Sequence, residues 1–377
     1  MTEMSSLWLT AILLLAIWLT ACQVTSATSS VDLDPNDNLD DDEFRAKFGL
    51  EELTDPEERK FRLEALKDHE EIVKRQNVKY SKGKRTWYDK MNEFSDLTDE
   101  ETIAEKTGMK RGRPLGKRRR GRSLGLGLIA HGPAQRDERS EKWFAEYRLN
   151  RRGAPSSYSS VDKGIVSPVK NQKQCGSCVA FATIAVVETC FKKITGMFGD
   201  YSEQELVDCG YRKNMAMGCR GAQCYSYAKW IKDSQRLLAS ERSYPYLNSR
   251  PRLRCPRENP LRQGARVTDF KYTDRGDEES LKQLVYEQGS VLIAVAVDST
   301  FSYYAGGILS GCSRNYKRAC NHAVAVVGYG TERGQDFWLI KNSWGSWWGE
   351  NGYMRLKRGV NACGIGYYIN TIECGRA

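Results

Sequence analysis

Cys178 and His322 are the residues of this sequence whose types and positions could perform nucleophilic chemistry. Of the 12 cysteines, eleven lie beyond residue 174, and this odd number leaves one thiol without a disulfide partner. Cys178 is predicted to open an apolar helix, where unpaired backbone N–H groups and the helix dipole favour a thiolate. His69 and His131 precede residue 154, so a globular domain beyond that point has only His322 as a base.

Two polar residues could complete this pair. Asn342 ends a predicted strand and could orient the imidazole through a neutral amide, which the nearby Trp344 would shield from water. Gln172 precedes Cys178 by six residues and could donate an N–H to a developing oxyanion, together with the Cys178 backbone N–H. The four residues predict acyl transfer through a thiolate, for which no metal or cofactor is expected.

The elements that must position these residues follow from hydrophobic periodicity. Residues 178–195 are predicted to form a largely buried helix and residues 224–238 an amphipathic one. Strand-like segments separated by glycine and turn residues follow at 291–297, 323–329, 337–341 and 353–356. Helices first and strands second predict an α+β fold with two lobes.

The region before residue 154 differs in composition from this globular part. An apolar run from Leu7 to Ala21 predicts a signal peptide over residues 1–27. A bacterial lipoprotein cleavage box at Leu19-Thr20-Ala21-Cys22 and an uncleaved anchor are the alternatives. The predicted signal and the cysteine content indicate the secretory pathway, ending in a lysosome-like vesicle or outside the cell.

Three segments follow the predicted signal peptide. Residues 28–43 are acidic and predicted to be flexible, and residues 44–80 are predicted to be helical. A β-prone piece around Trp87-Tyr88 and a second helix start at Thr98 come next. Residues 110–153 are rich in glycine and arginine, which indicates a solvated linker with trypsin-like or furin-like processing sites.

The net charge of +10 invites a nucleic-acid function, but the charge is unevenly distributed. Acidic residues prevail before residue 110 and basic residues after it, as expected of two parts that dock on each other. Nucleic-acid binding through residues 110–122 would require salt-dependent retention on DNA. We expect none.

Residues 154–377 resemble the papain-like cysteine proteases over their whole length. The matching motifs are Val169-Lys170-Asn171-Gln172 with Cys175-Gly176-Ser177-Cys178, Asn321-His322-Ala323-Val324 with Gly328-Tyr329-Gly330, and Trp338 to Gly345 with Trp348 to Tyr353. The resemblance implies a papain-like two-lobed fold, with a helical left lobe that carries Cys178 and a β-barrel-like right lobe that carries His322. It also implies a cleft between the lobes and cysteine endopeptidase activity.

The upstream region resembles the prodomain of cathepsin L-like zymogens. The residues at the positions of its helix pattern are Glu58, Arg62, Leu66, His69, Val73 and Asn77. Of these, Leu66, His69 and Val73 depart from the residue types usual there. Asn92-Glu93-Phe94-Ser95-Asp96 resembles the second prodomain motif, with Lys90 where glycine is usual. The resemblance implies that residues 44–109 are an inhibitory prodomain lying through the cleft, and that His69 has a packing role.

The resemblance further implies disulfides and substrate contacts. The implied disulfides are Cys175–Cys219, Cys209–Cys255 and Cys312–Cys363, which leave Cys190, Cys224, Cys320 and Cys374 as buried thiols or extra bridges. The implied substrate contacts are backbone groups of Gly221 and Ala222, a main specificity pocket lined by Cys224, Ala294, Cys320, Ala323 and Tyr368, and further contacts at Asn321 and Trp344. The pocket has no acidic residue, which favours an apolar substrate side chain.

Two departures keep an alternative open. Val179 stands where the family usually has Trp, and Ser159-Ser160 where Asp-Trp is usual. The alternative is a catalytically weak or inactive homologue that binds peptides or matrix. Because Gln172, Cys178, His322 and Asn342 are all present, we expect the enzyme instead.

The same resemblance sets the expected partners. A cathepsin B-type exopeptidase needs paired histidines, which the single histidine of residues 154–377 excludes. We expect polypeptide substrates, the chain's own prodomain and cystatin-like inhibitors as partners. The protein is expected to be a monomer without a stable membrane span.

Overall fold

The computed structural model describes residues 55–98, 101–102, 107, 137–149, 153–210, 216–248, 255, 262–263, 265–274, 276–312 and 320–376. The predicted signal peptide and the acidic segment lie outside these residues. The helices are α1 (Pro56–Ser81), α2 (Glu138–Leu149), α3 (Cys178–Thr195), α4 (Glu203–Cys209), α5 (Ser226–Ser234), α6 (Glu278–Gln288) and α7 (Ser299–Ser302). The strands are β1 (Trp87–Asp89), β2 (Tyr158–Ser159), β3 (Leu238–Ala239), β4 (Arg262–Gln263), β5 (Ala265–Thr273), β6 (Val291–Val295), β7 (Tyr304–Leu309), β8 (His322–Glu332), β9 (Gln335–Lys341), β10 (Tyr353–Lys357) and β11 (Tyr368–Arg376).

One mixed sheet organises the described part of the chain. Its strands run in the order β1-β7-β10-β9-β8-β6-β11-β5, and β2 pairs with β8 outside this path. The β7–β10 pair is parallel and the other pairs are antiparallel. In the antiparallel β8–β9 pair, Ala325 lies opposite Lys341. Residue 322, at the start of β8, and residue 342, just after β9, therefore lie near each other.

Helix α3 is the buried helix that the apolar pattern predicts over residues 178–195. Its first eleven residues include Ala180, Ile184 and Val187, all fully buried against helices α4 and α5 and the strands β8 and β11. Gly196 ends the helix in the left-handed conformation, with φ 76°. The helix therefore lies between a helical core and the sheet, with Cys178 at its amino end.

Helix α5 is shorter than the predicted helix over residues 224–238. Gln235 takes a left-handed conformation with φ 52°, which ends the helix, and residues 238–239 form β3. Strands β8, β9 and β10 contain the predicted segments 323–329, 337–341 and 353–356, whereas β6 ends two residues before the predicted end at 297. Strands β5, β7 and β11 were not expected from the sequence pattern.

Helix α1 begins with a local cap. The Asp55 side chain accepts a hydrogen bond from Glu57 N at 3.0 Å, and Pro56 occupies the first turn, where no N–H is needed. Leu66, His69 and Val73 are its buried residues. His69 Nδ1 lies 2.7 Å from Ser95 O, and its ring lies 4.9 Å from the Tyr303 ring, so His69 packs between two parts of the chain.

The segment after α1 docks on the edge of the sheet. Strand β1 pairs with β7 through Trp87 and Gly307, and Thr86 Oγ1 donates to Ile308 O at 2.6 Å. Gly307 has φ 87°, and a Cβ there would lie 2.3 Å from Thr86 O, so only glycine allows this approach. Strand β1 is thus an additional strand at the edge of the sheet.

Phe94 anchors the same segment. It is fully buried, with its ring 5.3 Å from the Trp344 ring and 5.1 Å from the Trp347 ring, both in edge-to-face geometry. Asn92 Nδ2 also donates to Ser302 O at 2.9 Å. An aromatic side chain from the N-terminal segment therefore covers the residues that follow β9.

Helix α2 differs from the expectation for residues 110–153, where the composition indicates a solvated linker. Residues 138–149 instead form a helix that packs on β5, and Phe144 is 1% exposed. Charged residues surround Trp143 and Phe144, so the sequence shows only a short apolar stripe, which is buried when the helix packs in the tertiary structure.

Four disulfides lie in the described residues. Three are Cys175–Cys219, Cys209–Cys255 and Cys312–Cys363, the pairings that the resemblance implies. The fourth joins Cys190 of α3 to Cys374 of β11 and ties the central helix to the last strand. Cys178, Cys224 and Cys320 are buried and form no disulfide. An extra bridge thus uses two of the cysteines that the resemblance left unassigned.

Replacing Phe94 tests how the N-terminal segment docks. Phe94→Ala removes a fully buried ring, so we expect hydrogen exchange of residues 86–94 to become markedly faster. The matched control is Phe61→Ala in α1, where the ring is 44% exposed and little should change. Equal exchange in both variants, measured by mass spectrometry, would contradict the anchoring role of Phe94.

Candidate active site

Cys178 is placed by the loop that precedes α3. The Cys175–Cys219 disulfide and a hydrogen bond from Gly176 N to Cys219 O (3.1 Å) fix this loop. The thiol is buried, and the backbone N–H groups of Ala323, Val179 and Cys178 itself favour its thiolate form. Burial outweighs these donors and raises the Cys178 pKa to about 11. In this closed arrangement the thiol is protonated at neutral pH.

His322 is the first residue of β8 and lies beside Ala323, whose N–H contacts the Cys178 thiol. Its Nε2 lies 2.8 Å from Asn342 Oδ1, while its Nδ1 is buried and has no hydrogen-bond partner among the described residues. Burial lowers the His322 pKa to about 4, although the bond to Asn342 opposes this shift. The imidazole is therefore neutral at neutral pH, with Nδ1 left for another partner.

Aromatic side chains hold the imidazole in place. The Trp344 ring lies 4.9 Å from the His322 ring, and the Phe301 ring lies 6.2 Å from it. Trp344 is 1% exposed, so it shields the His322–Asn342 bond from water, as the sequence predicts for the aromatic after Asn342. The Trp344 ring also contacts the Phe94 ring of the N-terminal segment.

Gln172 is completely buried and held on both sides. Its Nε2 donates to Cys175 O at 2.8 Å, and its Oε1 accepts from Ser343 Oγ at 2.7 Å. Its backbone N–H donates to Ser343 O at 2.8 Å. These bonds orient the side-chain amide next to the residues that lead into Cys178.

The hydrogen bonds around Gln172 involve three residues that the sequence does not predict as part of the site: Ser343, Tyr246 and Ser177. Tyr246 OH donates to Gln172 O at 2.9 Å and lies 2.7 Å from Ser177 Oγ. Ser343 is the residue after Asn342 and bonds to Gln172, so it links the two predicted amides. The only sequence signal was the adjacency of Ser177 to Cys178 and of Ser343 to Asn342.

A buried charge cluster lies behind Asn342. Lys170 Nζ lies 3.1 Å from Glu188 Oε1 and 3.0 Å from Glu203 Oε1, and Lys341 Nζ donates to Ser167 O at 2.8 Å. Burial lowers the Lys341 pKa to about 8 and raises the Glu203 pKa to about 8. The cluster fixes the end of β9 and thereby the residue that follows it, Asn342.

The residues predicted to line the specificity pocket lie near one another. Tyr368, Ala294 and Ala323 lie side by side across β11, β6 and β8. Cys320 Sγ lies 3.8 Å from Ala294 O, and Cys224 belongs to the same apolar cluster as Cys178. Burial raises the pKa of the Cys320 thiol to about 12, so it is protonated at neutral pH.

Three other predicted substrate contacts, Gly221, Ala222 and Asn321, already bond to other parts of the chain. Gly221 N donates to Gly218 O and Gly221 O accepts from Met217 N, so both backbone groups are used inside a turn. Ala222 forms a bridge with Ala216. The Asn321 side chain bonds to the backbone of Val297 at 2.8 and 3.2 Å, which commits it to positioning that loop. The side chain of Asn321 and the backbone of Gly221 therefore have structural partners.

The described residues hold no group of three or more His, Cys, Asp or Glu residues placed to bind a metal ion. Within that same part of the chain, every helix is too short or too polar to cross a bilayer.

Comparison with known proteins agrees with this geometry. The sequence profile of the papain family cysteine proteases matches residues 154–371. Digestive cysteine proteinase 1 of Homarus americanus is 35% identical over 334 residues, covering 86% of this chain and 91% of the relative. A cathepsin L-like proteinase of Fasciola hepatica is 33% identical, covering 78% and 81%. Digestive procathepsin L 3 of the Tenebrio molitor larval midgut superposes with TM-score 0.71 at 28% identity, covering 89% and 100%.

The fold is therefore the two-lobed papain fold preceded by a prodomain-like segment, as in the procathepsin L structures. The chain belongs to the papain family of cysteine proteases and is a cysteine-type endopeptidase. The expected fold class and enzyme class are confirmed.

The buried pair predicts how Cys178 reacts in the closed chain. Because its pKa is about 11, alkylation of Cys178 by iodoacetamide should rise about tenfold per pH unit through neutrality, with no plateau near pH 5–7. The rate is measured on the Cys178 peptide by mass spectrometry, with Cys178→Ser as the blank. A plateau already present at pH 5–7 would reveal a preformed thiolate–imidazolium pair and contradict this description.

Proposed function

We propose that this protein is made as an autoinhibited zymogen and hydrolyses peptide bonds through a Cys178–His322 acyl-enzyme mechanism. The observation that carries the proposal is the set of neighbours around the thiol: Ala323 N–H contacts Cys178, and the adjacent His322 is bonded to Asn342 at 2.8 Å. This arrangement supplies a nucleophile, a base and an orienting amide.

The proposed reaction begins with proton transfer between Cys178 and His322. With Nε2 bonded to Asn342, Nδ1 is the nitrogen that takes the thiol proton. The thiolate attacks the peptide carbonyl carbon, and the imidazolium returns the proton to the leaving amine as the acyl-enzyme forms. Water then attacks the thioester, His322 accepts its proton, and the thiol and the carboxylic acid are released.

Oxyanion stabilisation is assigned to Gln172 and the backbone N–H of Cys178. The bonds from Ser343 and to Cys175 hold the Gln172 amide rigid, so its orientation costs no reorganisation during the reaction. The Cys178 N–H lies in the first turn of α3, where the helix has no internal partner for it. Ala222, Ala294, Cys320, Ala323, Cys224 and Tyr368 are assigned to bind the substrate.

Autoinhibition is assigned to the N-terminal segment. Its β1 strand adds to β7 and its Phe94 covers Trp344, which in turn covers His322. The low pKa of His322 and the high pKa of Cys178 describe a pair that burial keeps neutral. Release of the segment would admit water and stabilise the charged thiolate–imidazolium form.

Acid favours this release through His322. Its pKa in the closed state is about 4, below the ordinary value of 6.5, so an opened state in which Cys178 keeps its proton binds one more proton than the closed state, whereas proton transfer within the pair takes up none. The closed state is accordingly favoured most above pH 6.5 and loses its advantage as the pH falls from 6.5 towards about 4. This sign agrees with activation in an acidic, lysosome-like compartment of the secretory pathway or after secretion.

An epoxide inhibitor of the E-64 type tests the proposed function. The purified proenzyme is treated with the inhibitor before and after incubation at about pH 4–5, and the Cys178 peptide is analysed by mass spectrometry. We expect covalent addition to Cys178 only after the N-terminal segment is removed, and none in the Cys178→Ala variant. Removal of the segment without any labelling would instead favour a non-catalytic peptide-binding protein.

A further inference from the structure

Helix α2 lies between the inhibitory segment and the catalytic domain in sequence, and its contacts go to the catalytic domain. Arg139 makes two hydrogen bonds to the Asp269 carboxylate of β5, at 3.1 and 2.9 Å. Tyr147 OH donates to Glu287 at 2.7 Å, and Arg148 Nε donates to Asp277 at 3.1 Å. The helix therefore spans from β5 to both ends of α6.

The helix also covers the edge of the sheet. Strand β5 is the last strand of the sheet and has β11 as its neighbour on one side. On β5, Tyr272 N donates to Ser140 Oγ at 3.3 Å, and Phe270 O accepts from Arg139 Nη2 at 3.2 Å. An uncovered edge strand exposes such backbone groups to pairing with other chains. Helix α2 thus closes this edge.

Phe144 makes the helix part of the hydrophobic core. Its side chain is 1% exposed and belongs to the cluster that contains Leu281, Leu284 and Val285 of α6. Trp143 stacks on Tyr147 with ring centroids 4.8 Å apart, and Lys271 Nζ lies 5.7 Å from the Trp143 ring. Removing α2 would leave a hole in this core and an apolar patch beside β5.

We propose that residues 137–149 stay on the catalytic domain after activation as a permanent N-terminal arm, and that the activating cleavage lies before Asp137. The inference rests on the proposed zymogen function, because it concerns the product of activation. It separates two N-terminal pieces: residues 55–98, which cover the active site and leave, and residues 137–149, which cover the β5 edge and remain.

The first measurement is the mass of the activated enzyme under denaturing conditions, after incubation of the full chain at about pH 4–5. We expect a product whose N-terminus lies before Asp137 and that contains the Phe144 peptide. A labelled, active product that begins after Leu149 and lacks this peptide would overturn the inference while leaving the zymogen proposal intact.

The second measurement compares variants of the arm. Phe144→Ala and the milder Arg139→Ala should each shorten the thermal half-life several-fold, in the activated enzyme as well as in the proenzyme. The matched control is Lys142→Ala on the same helix, where the side chain is 81% exposed and no change is expected. If the arm variants destabilise only the proenzyme and the activated enzymes keep equal half-lives, the inference is wrong.

These outcomes separate the two proposals. Labelling of Cys178 in the uncleaved chain would contradict the zymogen function, and the half-life comparison would still decide whether α2 is part of the catalytic domain. Should Phe144→Ala fail to fold, Arg139→Ala gives the same comparison, because it removes surface bonds without opening the core.

Discussion

The contact between the amino end of α3 and the beginning of β8 is the constraint on which the proposed active site depends. Cys178 lies on the helix and His322 on the strand, and the Ala323 N–H against the thiol joins the two elements. Neither element could carry the chemistry alone, because a thiol without a base is weakly nucleophilic at neutral pH. The sheet, the buried charge cluster and the disulfide at Cys175 all serve to fix these two ends relative to each other.

Burial gives that contact a second property. Water is excluded from both side chains, so each charged form is disfavoured and the pair is neutral in the closed chain. Trp344 of the catalytic domain lies beside the imidazole, and Phe94 of the N-terminal segment packs on Trp344. In the proposed zymogen, these two rings would connect protection of the site with its inhibition.

The sequence predicted best those parts that are governed by local pattern. Helix α3 was predicted with its observed bounds because its apolar residues are nearly continuous. Strand β11 was missed because Asn370 and Thr371 are buried polar residues that interrupt any apolar alternation. The sequence of helix α2 predicts a linker, because its partners, such as Asp269, lie 130 residues away in sequence. Gln172 and Asn342 were found from their motifs, whereas their link through Ser343 depends on tertiary geometry.

The most direct test of the central claim is an NMR titration of His322 in the intact proenzyme. The chain has 3 histidines, and the His322 signals can be identified by their loss in His322→Gln. Our account predicts a neutral imidazole down to a pKa of about 4, with a rise after the N-terminal segment is removed. A pKa at or above the ordinary 6.5 in the closed proenzyme would show that burial does not disfavour the charged imidazole, and would contradict the account.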